Sequence, residues 1–196
     1  TADLSASLRA DDVVVASPRS EQATYAYEPD GQRRWQQSFS ASAGGAVSDG
    51  RYVGPTFDID GEAISAVDLA SGDVHWSVPD LSLSAFVEIA VENGVVALYE
   101  PPEIGTEGGE THLRAFELDG GDQRWELSLG EVTVPFRPPA VGSGLVAAQT
   151  ATGIGAYDID TGAERAETTE PFLVMVGLLD DRRFFDCSQN IVAYDL

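Results

Sequence analysis

Hydrophobic positions along this chain fall in short, valine-rich runs that are separated by acidic or glycine-containing turns. The runs are strand-sized, and no segment shows the sustained spacing of an amphipathic helix with capping signals. Pairs such as Asp49-Gly50 and Asn93-Gly94 supply the positive φ angles that tight hairpin turns need. The pattern therefore predicts an all-β chain with hairpins at residues 8–15, 47–53, 91–96, 141–146 and 179–184.

An eleven-residue phrase follows these hairpins at intervals of about forty residues. Its best copy, at residues 66–76, reads Ala-Val-Asp-Leu-Ala-Ser-Gly-Asp-Val-His-Trp. The copy at 115–125 keeps the alanine, the second glycine and the tryptophan, whereas the copy at 156–166 has alanine in place of the tryptophan. The copy at 26–35 is one residue short, and a further copy begins at residue 193. A repeat of this length indicates an array of equivalent supersecondary units.

Each unit is predicted to contain four strands, of which the hairpin supplies the first two. The third strand carries the alanine, and the fourth carries the tryptophan after a Ser/Thr-Gly turn. Tryptophan is expected to pack between adjacent sheets, and glycine to adopt left-handed turn geometry, so these roles are structural. Because Ala166 stands where the other copies have tryptophan, the packing contact between the fourth and fifth units is predicted to be the weakest of the array. The residues expected to hold the units together are Trp35, Trp76, Trp125, Gly72, Gly121 and Gly162.

The phrase resembles the tryptophan-docking motif of PQQ-like (pyrroloquinoline-quinone-type) β-propeller repeats, and the resemblance covers nearly the whole chain. It implies one β-propeller domain of four-stranded antiparallel blades, four of them complete and a fifth with three strands. The predicted blades, a partial or open propeller, span approximately residues 2–39, 41–80, 83–129, 132–169 and 170–196. Because the last unit stops in its third strand, we expect further blades, an open arc with an exposed edge, or completion by another chain.

Quinoprotein dehydrogenases of this family hold their quinone on the propeller axis with a calcium ion, beneath a disulfide between vicinal cysteines. This chain has only Cys187, so the cysteine pair is absent. It supplies about five blades where the enzymes use about eight. We therefore expect no catalytic residues, no PQQ and no calcium, with a fragment or divergent relative of a quinoprotein dehydrogenase as the alternative.

The charge of the chain is −22, from 33 acidic residues against 11 basic residues, and every basic residue is arginine. Such a surface repels nucleic acid phosphates and anionic lipid headgroups. A dispersed acidic surface without lysine resembles proteins of halophilic archaea, and an ordinary acidic protein is the alternative. No apolar run is long enough to span a membrane, so no membrane insertion is expected.

Other residues capable of chemistry have simpler structural interpretations. Cys187 lies in an apolar stretch and is expected to be a small buried hydrophobe. Residues 58–62 and 158–164 resemble fragments of calcium loops, but neither completes the oxygen ligand set. His75 and His112 lie next to strand ends without a paired ligand.

One irregularity of the repeat points to a binding face. Ala66 and Ala115 lie 49 positions apart, against 40 or 41 for the neighbouring intervals, and the excess falls at residues 100–110. This predicts an enlarged loop between the second and third strands of the third blade, on the same face as residues 134–139. A tolerated surface insertion is the alternative. The candidate binding-face residues are Glu100, Glu103, Glu107, Phe136 and Arg137.

The leading hypothesis is a non-catalytic propeller module, adapted to high salt, that binds a protein or cell-surface polymer through this loop face. It is similar in type to the propeller that scaffolds outer-membrane protein assembly. Blade-packing residues are present, whereas no hydrolase elbow, phosphate loop or dinucleotide fingerprint occurs. The compartment is not determined, and an extracytoplasmic or cell-surface location is favoured over the cytoplasm.

Overall fold

The structure is a computed structural model. It describes residues 4–10, 13–18, 21–41, 45–58, 61–79, 81, 88–102, 108–132, 139–168, 176–180, 183–186 and 192–195. These residues contain β-strands and turns but no helix, so no helix that could span a membrane is present among them. The strands form five antiparallel sheets, and successive strands are hydrogen-bonded in chain order in all of them except at the start of the second sheet, where two short strands pair with the same neighbour.

The first two sheets cover the part of the chain up to residue 79. The first consists of β1 (Leu4–Ala10), β2 (Val13–Pro18), β3 (Thr24–Tyr27) and β4 (Arg33–Gln37). The second consists of β5 (Ser40–Ala41), β6 (Ala46–Ser48), β7 (Arg51–Asp58), β8 (Gly61–Asp68) and β9 (Val74–Pro79). Because β5 and β6 both pair with β7, they share the position that a single first strand holds in the other sheets.

The remaining sheets repeat this arrangement. The third consists of β10 (Glu88–Glu92), β11 (Val95–Glu100), β12 (His112–Glu117) and β13 (Gln123–Ser128). The fourth consists of β14 (Ala140–Gly142), β15 (Leu145–Gln149), β16 (Ile154–Asp158) and β17 (Glu164–Thr168). The fifth has three described strands, β18 (Val176–Asp180), β19 (Arg183–Asp186) and β20 (Val192–Asp195). The predicted fold class, all-β with four-stranded antiparallel sheets and a three-stranded last sheet, is confirmed. The second sheet differs in having five strands, because β5 and β6 together take the place of its first strand.

Tight hairpins connect the first and second strands where the sequence places Asp49-Gly50 and Asn93-Gly94. Both residues of each pair have positive φ, at 48° and 72° in the first hairpin and 50° and 75° in the second. Ser143-Gly144 has the same geometry in the fourth sheet, at 55° and 76°. These angles are typical of a type I′ turn, whose twist matches that of the flanking strands. The predicted hairpin turns at residues 11–12 and 181–182 lie outside the described residues.

The repeated alanine and tryptophan are direct cross-strand partners. Ala26 pairs with Trp35, Ala66 with Trp76 and Ala115 with Trp125. A β-bulge follows the alanine in each of the first four sheets, and such a bulge bends the strand and strengthens its twist. The extra residue lies in the fourth strand of each of these sheets, at Arg34, His75, Arg124 and Arg165. The motif therefore joins the third and fourth strands and bends the fourth strand at the same place in these sheets.

The chain divides into two compact units. The first comprises Thr1–Leu83 with Asp119–Gly121, and the second comprises Ser84–Leu118 with Asp122–Leu196. The core of the first contains Val13, Val15, Ala26, Trp35, Phe39, Ala41, Tyr52, Val67 and Leu69. That of the second contains Ala97, Tyr99, Leu113, Leu129, Val146, Ala148 and Tyr157. The organisation of the five sheets as one domain stays a prediction.

Candidate functional site

The tryptophan of the first sheet packs on the turn of the second. The Trp35 indole Nε1–H donates to the Leu69 carbonyl at 2.9 Å. Gly72 in this turn has φ of +81°, and a Cβ added to it would lie 2.7 Å from Trp35 Cδ2. Any larger residue at this position would therefore meet both backbone strain and the indole ring.

The same arrangement recurs at two other places. Trp125 donates its indole N–H to the Ile159 carbonyl at 2.9 Å and covers Gly162, which has φ of +70°. Trp76 covers Gly121, where an added Cβ would lie 2.7 Å from Trp76 Cδ2. These tryptophans and glycines are engaged in packing. Side chains of the fifth sheet lie outside the described residues, so the weak joint expected from Ala166 stays a prediction.

Glu100 is the candidate binding-face residue that falls within the described part of the chain. It is the last residue of β11, only 6% of its surface is exposed, and its Oε2 lies 3.3 Å from Arg114 Nη1. Because the carboxylate is buried and ion-paired, Glu100 supports the base of the loop and does not present a free charge at its surface. Glu103, Glu107, Phe136 and Arg137 lie outside the described residues.

Glu100 belongs to a row of charged side chains across the third sheet, hereafter the charged row: Glu100, Arg114 and Glu126. Arg114 on β12 contacts both carboxylates, because its Nη2 lies 3.3 Å from Glu126 Oε1. His112 Nδ1 lies 3.1 Å from the same Glu126 oxygen. Arg114 and Glu126 were not predicted as site residues from the sequence. Side chains alternate between the two faces along β12 and β13, and Arg114 and Glu126 are cross-strand partners, so they share one face of the sheet. The sequence shows the alternation but not the register that pairs the two residues.

The described ends of the enlarged loop are held closely together. A Cβ added to Gly109 would overlap Pro102, so the two ends of the loop touch at this point. Ser128 donates its hydroxyl hydrogen to Glu110 Oε2 at 2.9 Å. The Thr111 amide donates to the Gly130 carbonyl at 2.9 Å, and the Leu129 amide donates to the Thr111 carbonyl at 2.8 Å. The base of the loop is therefore fixed to the third and fourth strands of its own sheet and to the chain that follows.

Asp158, the first carboxylate of the fragment at 158–164, is engaged in its own turn, as is Asp68, which lies outside both calcium-loop fragments. Asp158 accepts from Arg165 at 2.7 Å and from the Thr161 hydroxyl at 2.9 Å, and the Arg165 bond is the main reason that the pKa of this carboxyl lies below its ordinary value. In the second sheet, the Ser71 amide donates to Asp68 at 2.7 Å and is the main cause of a lowered pKa there. Among the residues whose side chains are described, no group of three His, Cys, Asp or Glu is placed to hold a metal ion. Cys187, Asp60 and the Asp58 side chain lie outside them.

His75 lies at the edge of the second sheet. Its Nε2 is 3.8 Å from Asp68 Oδ2, and its side chain is 39% exposed. His112 lies in the third sheet and contacts Glu126, as described above. The two imidazoles therefore belong to different sheets and to different compact units, and each contacts a carboxylate of its own sheet.

Antiparallel four-stranded sheets in chain order, repeated along the chain, define the β-propeller class of architecture. The chain belongs to the PQQ-repeat family whose model is described as outer membrane protein assembly factor BamB, which matches residues 2–195. A search of curated proteins by sequence finds no match.

Solved structures with the same fold include both a BamB and two enzymes. BamB from Moraxella catarrhalis superposes with a TM-score of 0.59 at 14% identity, over 97% of this chain. Quinohemoprotein alcohol dehydrogenases from Pseudomonas putida HK5 and Comamonas testosteroni give TM-scores of 0.60 and 0.62 at 15% and 14% identity, over 97% and 96% of this chain. The chain spans 63%, 41% and 40% of these three proteins, respectively. At these identities the likeness establishes the fold.

Proposed function

We propose that this chain is a non-catalytic PQQ-repeat module that binds a protein or cell-surface polymer at the loop end of its third sheet. The observation that carries this proposal is the fixed base of the enlarged loop, where Pro102 touches Gly109 and Ser128 holds Glu110. A loop whose ends are already ordered loses less conformational entropy when its tip engages a partner. Loops held by a rigid scaffold are also where binding residues concentrate.

The charges of the described residues favour a partner that is not anionic. Apart from Arg33, each arginine with a described side chain contacts a carboxylate, as Arg34 does with Glu28 and Arg51 with Asp119. These arginines are therefore not available to bind phosphate, and nucleic acid is not a proposed partner. In the proposal Glu103, Glu107, Phe136 and Arg137 contact the partner, while Glu100 and Arg114 support the base of the loop.

Affinity measurements with a matched charge control test this proposal. Partners captured by the wild-type protein would be purified and titrated against a variant carrying Glu103→Gln, Glu107→Gln and Arg137→Ala. The control carries Glu62→Gln, Glu131→Gln and Arg33→Ala, which remove two exposed carboxylates and one exposed guanidinium outside the loop and so change the net charge equally. We expect the loop variant to bind at least about tenfold more weakly and the control to bind as the wild type does. Equal binding by the loop variant and the wild type would rule out the loop end as the contact surface.

Adaptation to high salt is part of the same proposal and rests on the net charge of −22. Repulsion between carboxylates destabilises the folded chain at low ionic strength, and added salt screens it. The midpoint of thermal unfolding should therefore rise as KCl increases from about 0.1 M to about 1 M. A midpoint that stays constant or falls would contradict the adaptation. The favoured extracytoplasmic location stays a prediction.

The alternative function is that of a divergent quinoprotein oxidoreductase, and the fold shared with quinohemoprotein alcohol dehydrogenases is its support. The residues of this chain fit that cofactor poorly, because the family's vicinal cysteine pair is missing and Asp158, Asp68 and Glu100 are already engaged in turns or ion pairs. Titration with PQQ and calcium in high salt, followed by absorbance and dye reduction, separates the two functions. Saturable quinone binding with dye reduction would replace the binding-module proposal by the enzyme.

A further inference from the structure

Two buried hydroxyl groups lie at the base of the enlarged loop. Tyr99 is the penultimate residue of β11 and is 1% exposed, while Thr111 directly precedes β12 and is 0% exposed. Tyr99 Oη and Thr111 Oγ1 make no hydrogen bond of normal geometry with any described residue. A buried hydroxyl without a partner is costly, so both groups require an explanation.

The first sheet shows how the same position is satisfied elsewhere in the chain. Val15 and Ala97 pair with the motif alanines of their sheets, so Ser17 and Tyr99, two residues further along, occupy equivalent places. The Ser17 hydroxyl lies 2.6 Å from Thr24 Oγ1 and accepts the Ala41 amide at 3.0 Å. In the first sheet, protein groups alone therefore satisfy the hydroxyl at this position.

The third sheet has no hydroxyl in the place of Thr24. Leu113 stands where the first sheet has Thr24, because both lie two residues before the motif alanine. Leu113 is fully buried and offers no polar atom, and the phenol of Tyr99 carries its oxygen further from the backbone than serine does. Burial raises the pKa of the Tyr99 phenol, and the Thr111 hydroxyl partly opposes that rise, which indicates that the two oxygens are neighbours. The two hydroxyls are neighbours, yet neither makes a hydrogen bond of normal geometry with a described residue.

We propose that one ordered water molecule bridges Tyr99 Oη and Thr111 Oγ1 and satisfies both hydroxyls. Buried waters of this kind typically make about three hydrogen bonds to polar groups that lack other partners. Tyr99 and Thr111 lie on the two sides of the enlarged loop, so the bridge would join its ends from the core side. This site does not depend on which partner the loop binds.

Detection of the water itself tests the proposal. A high-resolution crystal structure of the wild-type chain should show an oxygen within about 3 Å of both hydroxyl oxygens. The Tyr99→Phe, Thr111→Val double variant, which keeps the side-chain shapes but removes both hydroxyls, should lack this oxygen. A direct Tyr99–Thr111 bond of normal geometry, or wild-type density without the oxygen, would overturn the inference.

Unfolding equilibria give a second measurement. Tyr99→Phe and Thr111→Val should each lower the folding equilibrium constant about tenfold, because each leaves the other hydroxyl with fewer partners. The double variant should lose less than the product of the two single losses, since neither polar group remains. Tyr27→Phe, which removes a phenol hydroxyl from a half-buried tyrosine of the first sheet, serves as the control and should change the constant little. Strictly multiplicative losses would contradict a shared water.

Discussion

The second and third sheets carry polar side chains at the same register position but satisfy them differently. In the second sheet, Ser65 precedes the motif alanine, and its hydroxyl lies 2.7 Å from Thr56 Oγ1 and 3.0 Å from Ser77 Oγ. These three residues form the hydroxyl row. In the third sheet, Arg114 takes the equivalent place and contacts Glu100 and Glu126, both at 3.3 Å. Each row crosses the second, third and fourth strands of its sheet.

This difference shows how one position in a repeat can become specialised. A hydroxyl both donates and accepts, so three short neutral side chains satisfy one another with little desolvation. A charged row must be complete, because loss of the cation leaves a buried carboxylate uncompensated. The charged row belongs to the sheet that carries the enlarged loop. The third sheet therefore departs from the repeat twice, in its charged side chains and in its longer loop, and Glu100 lies where the two meet.

The largest expected effect comes from removing the cation of the charged row. Arg114→Met should lower the free energy of unfolding by about 3–5 kcal/mol, because Glu100 would stay buried without its guanidinium partner. Denaturant unfolding followed by circular dichroism measures this loss. Arg124→Met is the matched control, since Arg124 pairs with exposed Asp160 and should lose about 1 kcal/mol or less. Equal losses in both variants would show that the charged row is no more sensitive than a surface ion pair.

A smaller loss is expected beside the hydroxyl row. Gly54 is the cross-strand partner of Ser65, and a Cβ added to it would overlap the Tyr52 ring, which is buried in the core. Gly54→Ala should therefore destabilise the chain by about 1–3 kcal/mol through overpacking. The double variant Tyr52→Val, Gly54→Ala should lose less than the sum of its single variants in the same unfolding assay. Full additivity would mean that the ring is not what excludes alanine.

Breaking the hydroxyl row itself should have a modest effect. Ser65→Ala removes the central hydroxyl, but Thr56 keeps a hydrogen bond to the Ala63 carbonyl at 3.3 Å. We expect a loss of about 1 kcal/mol by denaturant unfolding. Ser48→Ala, which removes a hydroxyl that donates to the adjacent exposed Asp49 side chain, is the control. A loss as large as that of Arg114→Met would remove the distinction between the two rows.

The smallest effect concerns the turn of the second sheet and depends on pH. The Ser71 amide holds the pKa of Asp68 below its ordinary value, so the folded chain favours the carboxylate. The resulting stability is present above the unfolded pKa and is lost as the pH falls through the folded pKa, within about pH 5 to 2. Asp68→Asn should thus be less stable than the wild type at pH 7, by about 1 kcal/mol or less, and should lose less stability on acidification. Asp73→Asn, in the same turn, is the control for the change in net charge. If Asp68→Asn lost as much stability on acidification as the wild type does, the lowered pKa of Asp68 would not be the source of this pH dependence.

The sequence predicted local features better than contacts between strands. Asp49-Gly50 and Asn93-Gly94 were recognisable as hairpin turns because their φ angles depend on the residues themselves. The bulge after each motif alanine was not predicted, because a bulge is a property of two paired strands. The copy at residues 26–35 was recognised as one residue short. In the longer copies, the amides of Leu69, Leu118 and Ile159 donate to hairpin carbonyls, which the sequence did not predict.

The sequence by itself determined the repeat and the strands within it, because these follow from short-range periodicity that each unit restates. The cross-strand pairing of alanine with tryptophan came from the structure. The tertiary structure decided the state of Glu100, which the sequence placed on an open binding face and the fold buries against Arg114. It also brought Tyr99 and Thr111 together. The physical reason is the enlarged loop: the register of β11 against β12 cannot be counted through an insertion of unknown path, and only that register shows which polar groups meet.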